Sequence, residues 1–152
     1  MRVGALKRKI RHCRKPCGGE PVVFGDFEWG FAKALSGVLG VPAYAGVLPS
    51  DAEEECLQVI TTGGTVENPG IARPMMMVHA RAGSEAGVVD LANRLVGAVH
   101  RIDVEQSCSP DCVIVGAGVV GLPYLSPDPS HPDWQRASLG VRLTVKAVRE
   151  TV

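Results

Sequence analysis

The stretch Val113-Ile114-Val115-Gly116-Ala117-Gly118-Val119-Val120-Gly121 decides between two folds. An apolar strand that runs into Gly-x-Gly-x-x-Gly is the fingerprint of a dinucleotide-binding fold, in which the glycines allow a tight turn and a close approach to a pyrophosphate. The phosphate then lies at the N-terminus of the next helix, where free N–H groups favour an anion. On this interpretation the protein is a flavin- or nicotinamide-dependent oxidoreductase.

The residues after Gly121 do not allow that helix. Prolines stand at positions 123, 127, 129 and 132, and each one lacks a backbone donor and clashes with the preceding helical turn. No acidic residue has the setting that the fingerprint requires about twenty positions further on, and residues 134–152 are too few for the remaining βαβ units. We therefore interpret the three glycines as bulges or flat positions in a strand that another backbone approaches closely.

The rest of the chain predicts two helices among five strands, in the order α-β-β-β-α-β-β. Asp26 is the expected N-cap of a helix that ends at Leu39, and Ser84 that of a helix with an apolar stripe up to Val99. The predicted strands are 41–48, 56–62, 74–81, 113–121 and 139–147, with a flexible loop at 63–70 and a proline-rich loop at 122–137. Consecutive strands with only two helices argue against a doubly wound sheet. We predict an α+β fold, a mostly antiparallel twisted sheet of about five strands with both helices on one face.

Charge divides the chain into a basic arm and an acidic body. Seven basic residues precede the first acid, Glu20: Arg2, Lys7, Arg8, Lys9, Arg11, Arg14 and Lys15. Since the whole chain has 16 basic and 16 acidic residues, 16 − 7 = 9 basic residues remain against 16 acids, and the body carries −7. We predict that residues 1–21 form a flexible or partner-ordered arm and that residues 22–152 form one domain. Such an arm indicates contact with nucleic acid or with an acidic partner, and a solvated tail is the alternative.

Four of the five cysteines form two Cys-x-x-x-Cys pairs, Cys13/Cys17 and Cys108/Cys112. They could share one zinc ion, although structural zinc sites usually have two residues between paired cysteines. The chain has no apolar run as long as a membrane span and no signal-peptide pattern, so we expect a reducing cytoplasm and thiols that are not oxidised. No catalytic residue and no cofactor site are predicted.

The methionine triplet, Trp29 and His79 are expected to have structural roles or no assigned role. The triplet Met75-Met76-Met77 is typical of soft core and interface packing. Trp29 falls off the apolar stripe of its helix, and core packing is the expected role, with a subunit contact as the alternative. His79 stands alone in the sequence, so no chemical role is predicted for it.

Several short motifs, in their order along residues 26–148, resemble the tail terminator proteins of long-tailed, siphovirus-type bacteriophages. This family is also described as minor capsid or tail-completion proteins. The motifs are Val47-Leu48-Pro49-Ser50-Asp51, Thr61-Thr62-Gly63-Gly64, Arg73-Pro74 before 75–80, the helix 84–99, and Leu125-Ser126-Pro127-Asp128-Pro129 before the strand 139–148. The basic arm and the Cys108/Cys112 pair depart from the family pattern.

The resemblance implies a virion structural protein and not an enzyme. Proteins of this kind form a ring, usually a hexamer, on the head-proximal end of the tail tube. The ring stops tube polymerisation and joins the tail to the connector of the neck. The implied partners are copies of the chain, the major tail tube protein and the head-closure connector, while the genome passes through the lumen without specific binding. The protein would be made in the host cytoplasm and located at the tail–neck junction, with no membrane contact.

Three segments are plausible contact regions in such a ring: 49–56, 62–74 and 122–137. The alternatives that the sequence leaves open are a nucleic-acid-binding module that uses the basic arm, and the oxidoreductase of the glycine fingerprint.

Overall fold

Two helices and eight strands form the part of the chain that the computed structural model describes, residues 22–108 and 112–149. In chain order they are β1 (Val22–Val23), α1 (Phe27–Leu39), β2 (Ala43–Ala45), β3 (Cys56–Asn68), β4 (Ile71–Ala82), α2 (Glu85–Glu105), β5 (Ser107–Cys108), β6 (Val113–Leu125), β7 (Gln135–Lys146) and β8 (Val148–Arg149). The predicted basic arm, 1–21, lies outside the described residues.

Six of these strands form one sheet in the order β2-β3-β4-β7-β6-β5, and β1 pairs with β8 in a separate two-stranded sheet. Every neighbouring pair in the large sheet is antiparallel except β2 with β3, which is parallel. The predicted α+β fold is confirmed, with six strands in place of about five because the short β5 adds to the edge of β6.

Both helices pack on one face of the sheet, which we call the core face. The alternating residues of β7 at 139, 141, 143 and 145 are at most 1% exposed, and they face the apolar stripe of α2. That stripe runs through Val88, Leu91, Ala92, Leu95 and Val99, as predicted from its helical spacing. The opposite face of the sheet, which we call the open face, carries no helix within the described residues.

The ends of the helices follow the expected capping chemistry. The Asp26 carboxylate accepts a bond of 3.1 Å from the Trp29 N–H, and the Ser84 hydroxyl accepts one of 3.0 Å from the Gly87 N–H. Helix α1 ends at Gly40, whose φ of 69° is left-handed. Helix α2 continues to Glu105, beyond the predicted stripe. Trp29 is 49% exposed, so the expectation that it packs in the core is wrong.

β3 and β4 are longer than predicted, and the predicted loop at 63–70 is wrong. Residues 63–68 belong to β3, and only two residues separate β3 from β4. Two register shifts, between Thr61 and Gly63 and between Val66 and Asn68, absorb the irregular sequence as bulges. Pro74 lies inside β4 and does not begin it. The sheet tolerates it because the pairing of β4 with β7 is interrupted between Ala72 and Met75.

Three other boundaries differ from the sequence prediction for similar reasons. β6 continues to Leu125 and β7 begins at Gln135, so the proline-rich loop predicted at 122–137 shrinks to residues 126–134. The extended segment predicted at 41–48 forms a strand only over Ala43–Ala45.

None of the helices in the described part of the chain is long and apolar enough to cross a membrane.

The glycine fingerprint lies within β6 from end to end. Gly116 and Gly118 pair with Thr144 and Arg142 of β7, and the strand continues instead of turning into a helix. The phosphate-binding turn is therefore not formed there. Register shifts fall between Ile114 and Gly116 and again after Val120, which confirms the interpretation of these glycines as bulged or flat strand positions.

We expect Gly64→Ala to destabilise the protein more than Gly63→Ala. Both glycines have left-handed φ angles, 140° at Gly63 and 127° at Gly64, so alanine strains the backbone at either position. A Cβ at Gly63 would meet no atom within 4 Å, whereas one at Gly64 would clash with the Arg73 carbonyl and come within 2.9 Å of the Met75 nitrogen. The expected loss is about 1–3 kcal/mol for Gly63→Ala and more for Gly64→Ala, measured by urea unfolding. Equal losses would contradict this account of the hairpin.

Candidate assembly surface

Several exposed apolar side chains lie together at the end of β6. Between Val120, which pairs with Gly140, and Tyr124, which pairs with Ser138, β6 has two more residues than β7. Gly121 takes a left-handed φ of 80° there, and the bulge turns Leu122 outward until it is 86% exposed. Tyr124, Leu125 and Val89 of α2 are 55%, 49% and 45% exposed. Contiguous exposed apolar residues on a folded domain mark a contact surface.

These residues border a shallow groove of about 230 Å³ between β6 and α2. Its lining consists of Val89, Ala92, Asn93, Leu122, Pro123, Tyr124, Leu125 and Ala137. A second depression on α2 adjoins it, shares Val89 and Asn93, and adds the carboxylates of Glu85 and Asp90. We call the two depressions together the α2–β6 surface. It has an apolar centre and an acidic border.

Next to the short outer strands β2 and β5, three backbone groups of β3 and β6 bond to side chains at the ends of the helices. The Asp103 carboxylate accepts a bond of 3.0 Å from the Ala117 N–H of β6, and the Gln106 amide donates at 3.2 Å to the Val115 carbonyl. At the other edge, the Glu28 carboxylate accepts a bond of 2.8 Å from the Thr61 N–H of β3. Satisfied edge groups do not recruit a further strand. These contacts therefore oppose strand addition at Thr61, Val115 and Ala117.

One end of the open face is closed by the loop 126–134, which a buried ion pair fastens. Arg81 of β4 donates at 2.8 Å to the Asp128 carboxylate, and the two side chains are only 4% and 8% exposed. Arg81 also donates at 2.7 Å to the side-chain Oε1 of Gln58, and the Gln58 Nε2 donates at 2.7 Å to the backbone carbonyl of Gly46. The pair thus connects the loop to β3 and to the segment after β2.

A second set of hydrogen bonds fastens the same loop to β7. Arg136 donates through Nε at 2.7 Å to the Ser126 carbonyl and through Nη2 at 3.2 Å to the Pro127 carbonyl. The Ser138 hydroxyl bonds to the Ser126 hydroxyl and, at 2.7 Å, to His79 Nδ1. His131 stacks on Trp134 with 4.5 Å between the ring centroids. The loop therefore has one defined conformation despite its three prolines.

Burial and charge set the protonation states in this network. The hydrogen bond from Arg81 holds the pKa of Asp128 well below its usual range, against the opposing effect of burial. Burial, together with the nearby Arg136 and Arg81, lowers the pKa of His79 from 6.5 to about 4. Burial raises the pKa of the Cys56 thiol to about 11. At neutral pH the loop is thus held by an ionised Asp128 and a neutral His79.

The cysteines of the zinc hypothesis are only partly within the described residues. Cys13 and Cys17 lie outside them, so the four-cysteine site stays a prediction. Cys108 is exposed in β5, whereas Cys112 is 2% exposed and packs where α1 comes close, since a Cβ added to Gly30 would lie 3.0 Å from its Cβ. No group of three or more His, Cys, Asp or Glu side chains within 22–108 and 112–149 has the arrangement of a metal site.

Sequence reasoning missed the polar network altogether. His79 has a hydrogen-bond partner, Ser138, that lies 59 positions away, and Arg81 is 47 positions from Asp128. The sequence held one local indication. Successive side chains of a strand point to opposite faces, so Arg81 lies on the face of β4 opposite the buried Met76, Val78 and Ala80. Among the methionines, Met76 is 1% exposed in the core, while Met75 and Met77 are half-buried on the open face.

Comparisons with known proteins identify a distant structural likeness. No protein-family model matches the chain, and no curated protein matches it in sequence. Solved structures with a similar arrangement include a chain from the virion of a native gene transfer agent particle. It is 14% identical, with a TM-score of 0.47, over 74% of this chain and 84% of that chain. A likeness at this level carries no conclusion about function.

We expect Asp128→Asn to cost about 3–5 kcal/mol of unfolding free energy, because it leaves the Arg81 guanidinium buried without its counter-charge. The matched control is Glu67→Gln, which removes a carboxylate from Arg73 in a pair whose side chains are 49% and 43% exposed. That change should cost less than about 1 kcal/mol. Chemical unfolding of the two variants measures both values, and similar losses would show that the loop does not depend on the buried pair.

Stability is expected to fall as the pH is lowered from about 6.5 to about 4, because of His79. In this window the unfolded chain binds a proton at His79 that the folded protein does not, so the equilibrium shifts toward unfolding as the pH drops. His79→Gln cannot titrate and should flatten the pH dependence over this window, measured by unfolding at several pH values. The stability that ionised Asp128 contributes is present at neutral pH and is lost mainly below about pH 4, where the unfolded chain binds a proton at this carboxylate that the folded protein does not. An unchanged slope in His79→Gln would contradict the assignment.

Proposed function

We propose that the protein is a virion structural component, a tail terminator that forms a ring on the head-proximal end of a phage-like tail tube. The observation that carries the proposal is the α2–β6 surface, where a bulge holds Leu122 86% exposed beside Val89 and Leu125. A soluble monomer gains nothing from such a bulge, since water surrounds the side chain. A subunit contact gives Leu122 a place to be buried.

The proposal is also supported by where the family-like motifs fall in the fold. The Arg73-Pro74 step lies in the interrupted part of β4, and residues 125–129 form the start of the loop fastened by Asp128. Two of the proposed contact segments, 62–74 and 122–137, contain the β3–β4 hairpin and the β6 bulge. Both regions are exposed and have a defined backbone, as a repeated subunit contact needs.

In this proposal the chain has a role in assembly and is not an enzyme. Copies of it would form the ring, with six subunits as the family resemblance implies, and the two ring faces would meet the tail tube protein and the head-closure connector. The genome would pass through the lumen without specific contacts, and the protein would lie at the tail–neck junction of the virion. Nucleic-acid binding by the arm 1–21 stays a prediction.

The test is assembly of the purified protein alone and with tail tubes. We expect rings by electron microscopy and mass measurement, or capped tubes of defined length when tubes nucleate the ring. Leu122→Asp should prevent both without lowering unfolding stability, because the side chain is exposed in the monomer. The matched control is Val104→Asp on the far end of α2, where a 67% exposed valine lies outside the α2–β6 surface.

A strict monomer that also leaves tail tubes uncapped would overturn the proposed function. Normal ring formation by Leu122→Asp would instead remove the α2–β6 surface from the contact and leave the ring to be explained by other residues.

A further inference from the structure

We infer that the open face of the sheet binds the α2–β6 surface of a second copy. The inference rests on the proposed ring and names the two surfaces that make its repeating contact. They lie on different sides of one molecule, because α2 packs on the core face and presents its exposed residues away from the sheet.

The uncovered part of the open face has an apolar floor. Ile60, Met77 and Met75 of β3 and β4 are half-buried there, beyond the loop 126–134. Gly140 of β7 and Gly118 of β6 continue the floor, and a Cβ added at Gly118 would meet no atom within 4 Å. No side chain of the described residues therefore projects over Gly118, and a partner can approach the backbone there. Flexible thioether side chains adapt well to an incoming partner.

Among the described residues, the exposed charges around that floor are three cations and one carboxylate, Glu67, which pairs with Arg73. Arg142, Lys146 and Arg73 stand at open-face positions and are exposed. Arg73 pairs with Glu67 at 3.1 Å, but within the described residues neither Arg142 nor Lys146 forms an ion pair. The Arg142 Nε is directed at the Met75 sulfur, 3.5 Å away. Asp128 is buried against Arg81 and presents no charge to a partner, whereas Asp133 of the same loop is exposed.

The α2–β6 surface has the complementary pattern. Its apolar centre, with Leu122 and Val89, is bordered by Glu85 and Asp90. Asp90 is 72% exposed, and its only partner among the described residues, Arg94, is 4.0 Å away. Further acids stand in the nearby loop, where Glu54 approaches Gly83 just before α2, and Asp51, Glu53 and Glu55 are also exposed.

In the proposed contact, the apolar centre of the α2–β6 surface therefore packs on the apolar floor of the open face. The acidic border of the first surface lies against the basic border of the second. Complementary charge of this kind fixes the register of an interface and excludes like-charged alternatives. A contact between two different surfaces of identical chains is heterologous, and such contacts produce rings when the rotation between copies closes. The partner's helix layer would also cover the second face of the sheet, which completes a layered arrangement that one copy lacks.

Charge exchange between the two surfaces tests the inference. One variant, Arg142→Glu/Lys146→Glu, makes the open face acidic, and the other, Glu85→Lys/Asp90→Lys, makes the α2–β6 surface basic. Each variant alone places like charges against each other in every contact, and we expect association to weaken roughly 100-fold, measured by mass against concentration or by tube capping. An equal mixture restores opposite charges in every contact of an alternating ring, and assembly should return.

A control separates this effect from a change in net charge. Lys33→Glu/Arg101→Glu changes the net charge as much as the open-face variant, but at exposed positions outside both surfaces, and it should assemble normally.

Wild-type assembly by each single-surface variant, or a mixture that fails to rescue them, would overturn the inference while the wild-type ring keeps the proposed function intact. If the open-face variant instead loses salt-sensitive binding to a DNA duplex and assembles normally, the face binds nucleic acid and the inference is wrong. A wild-type protein that neither forms rings nor caps tubes removes the proposed function itself.

Discussion

The ion pair between Arg81 and Asp128 is the interaction on which the exposed surfaces of this protein depend. It lies between two nearly inaccessible side chains, where the desolvation of each charge is offset only by the other charge and by added hydrogen bonds. Gln58, Ser130 and His131 supply those bonds. Because Asp128 belongs to the loop after β6 and Arg81 to the middle of the sheet, the pair fixes the loop over one end of the open face. The position of β6 itself is set by its pairing with β7.

The division of the open face follows from the same anchor. A sheet with helices on one side has a second face that must be solvated, covered by its own chain or covered by a partner. The loop 126–134 covers the end where Gln58, His79 and Arg81 point outward, and these side chains have hydrogen-bond partners within the chain, apart from the buried Arg81 Nε. At the other end the face carries methionines, glycines and cations. These residues can stay exposed to solvent in one copy, and they can also be buried against a partner. The buried network thereby sets the border between an internal surface and an available one.

The sequence predicted what depends on local signals and missed what depends on distant partners. Asp26, Ser84 and the stripe from Val88 to Val99 determine their helices within a few residues, and alternation along β7 reports burial on one side. Strand ends were misjudged at Gly63, Gly64 and Pro74 because bulges and a pairing gap let a sheet accept residues that usually end strands. The ion pair and the α2–β6 surface could not be predicted, since their residues meet only after the sheet has formed.

The glycine-rich stretch 113–121 shows how a change of context changes the role of the same residues. In a nucleotide-binding turn its glycines would bring the backbone to a phosphate, whereas in β6 they keep one strand flat on the open face and let it bulge at Gly121. The two features affect opposite sides of the strand. Gly118 adds no side chain to the open face, and Gly121 allows the bulge that turns Leu122 outward beside α2. Asp103 and Glu28 add hydrogen bonds to one backbone N–H each of β6 and β3, while both glycine features shape faces of the sheet. An interface that uses two different faces can be repeated around a ring without exposing a strand to uncontrolled pairing.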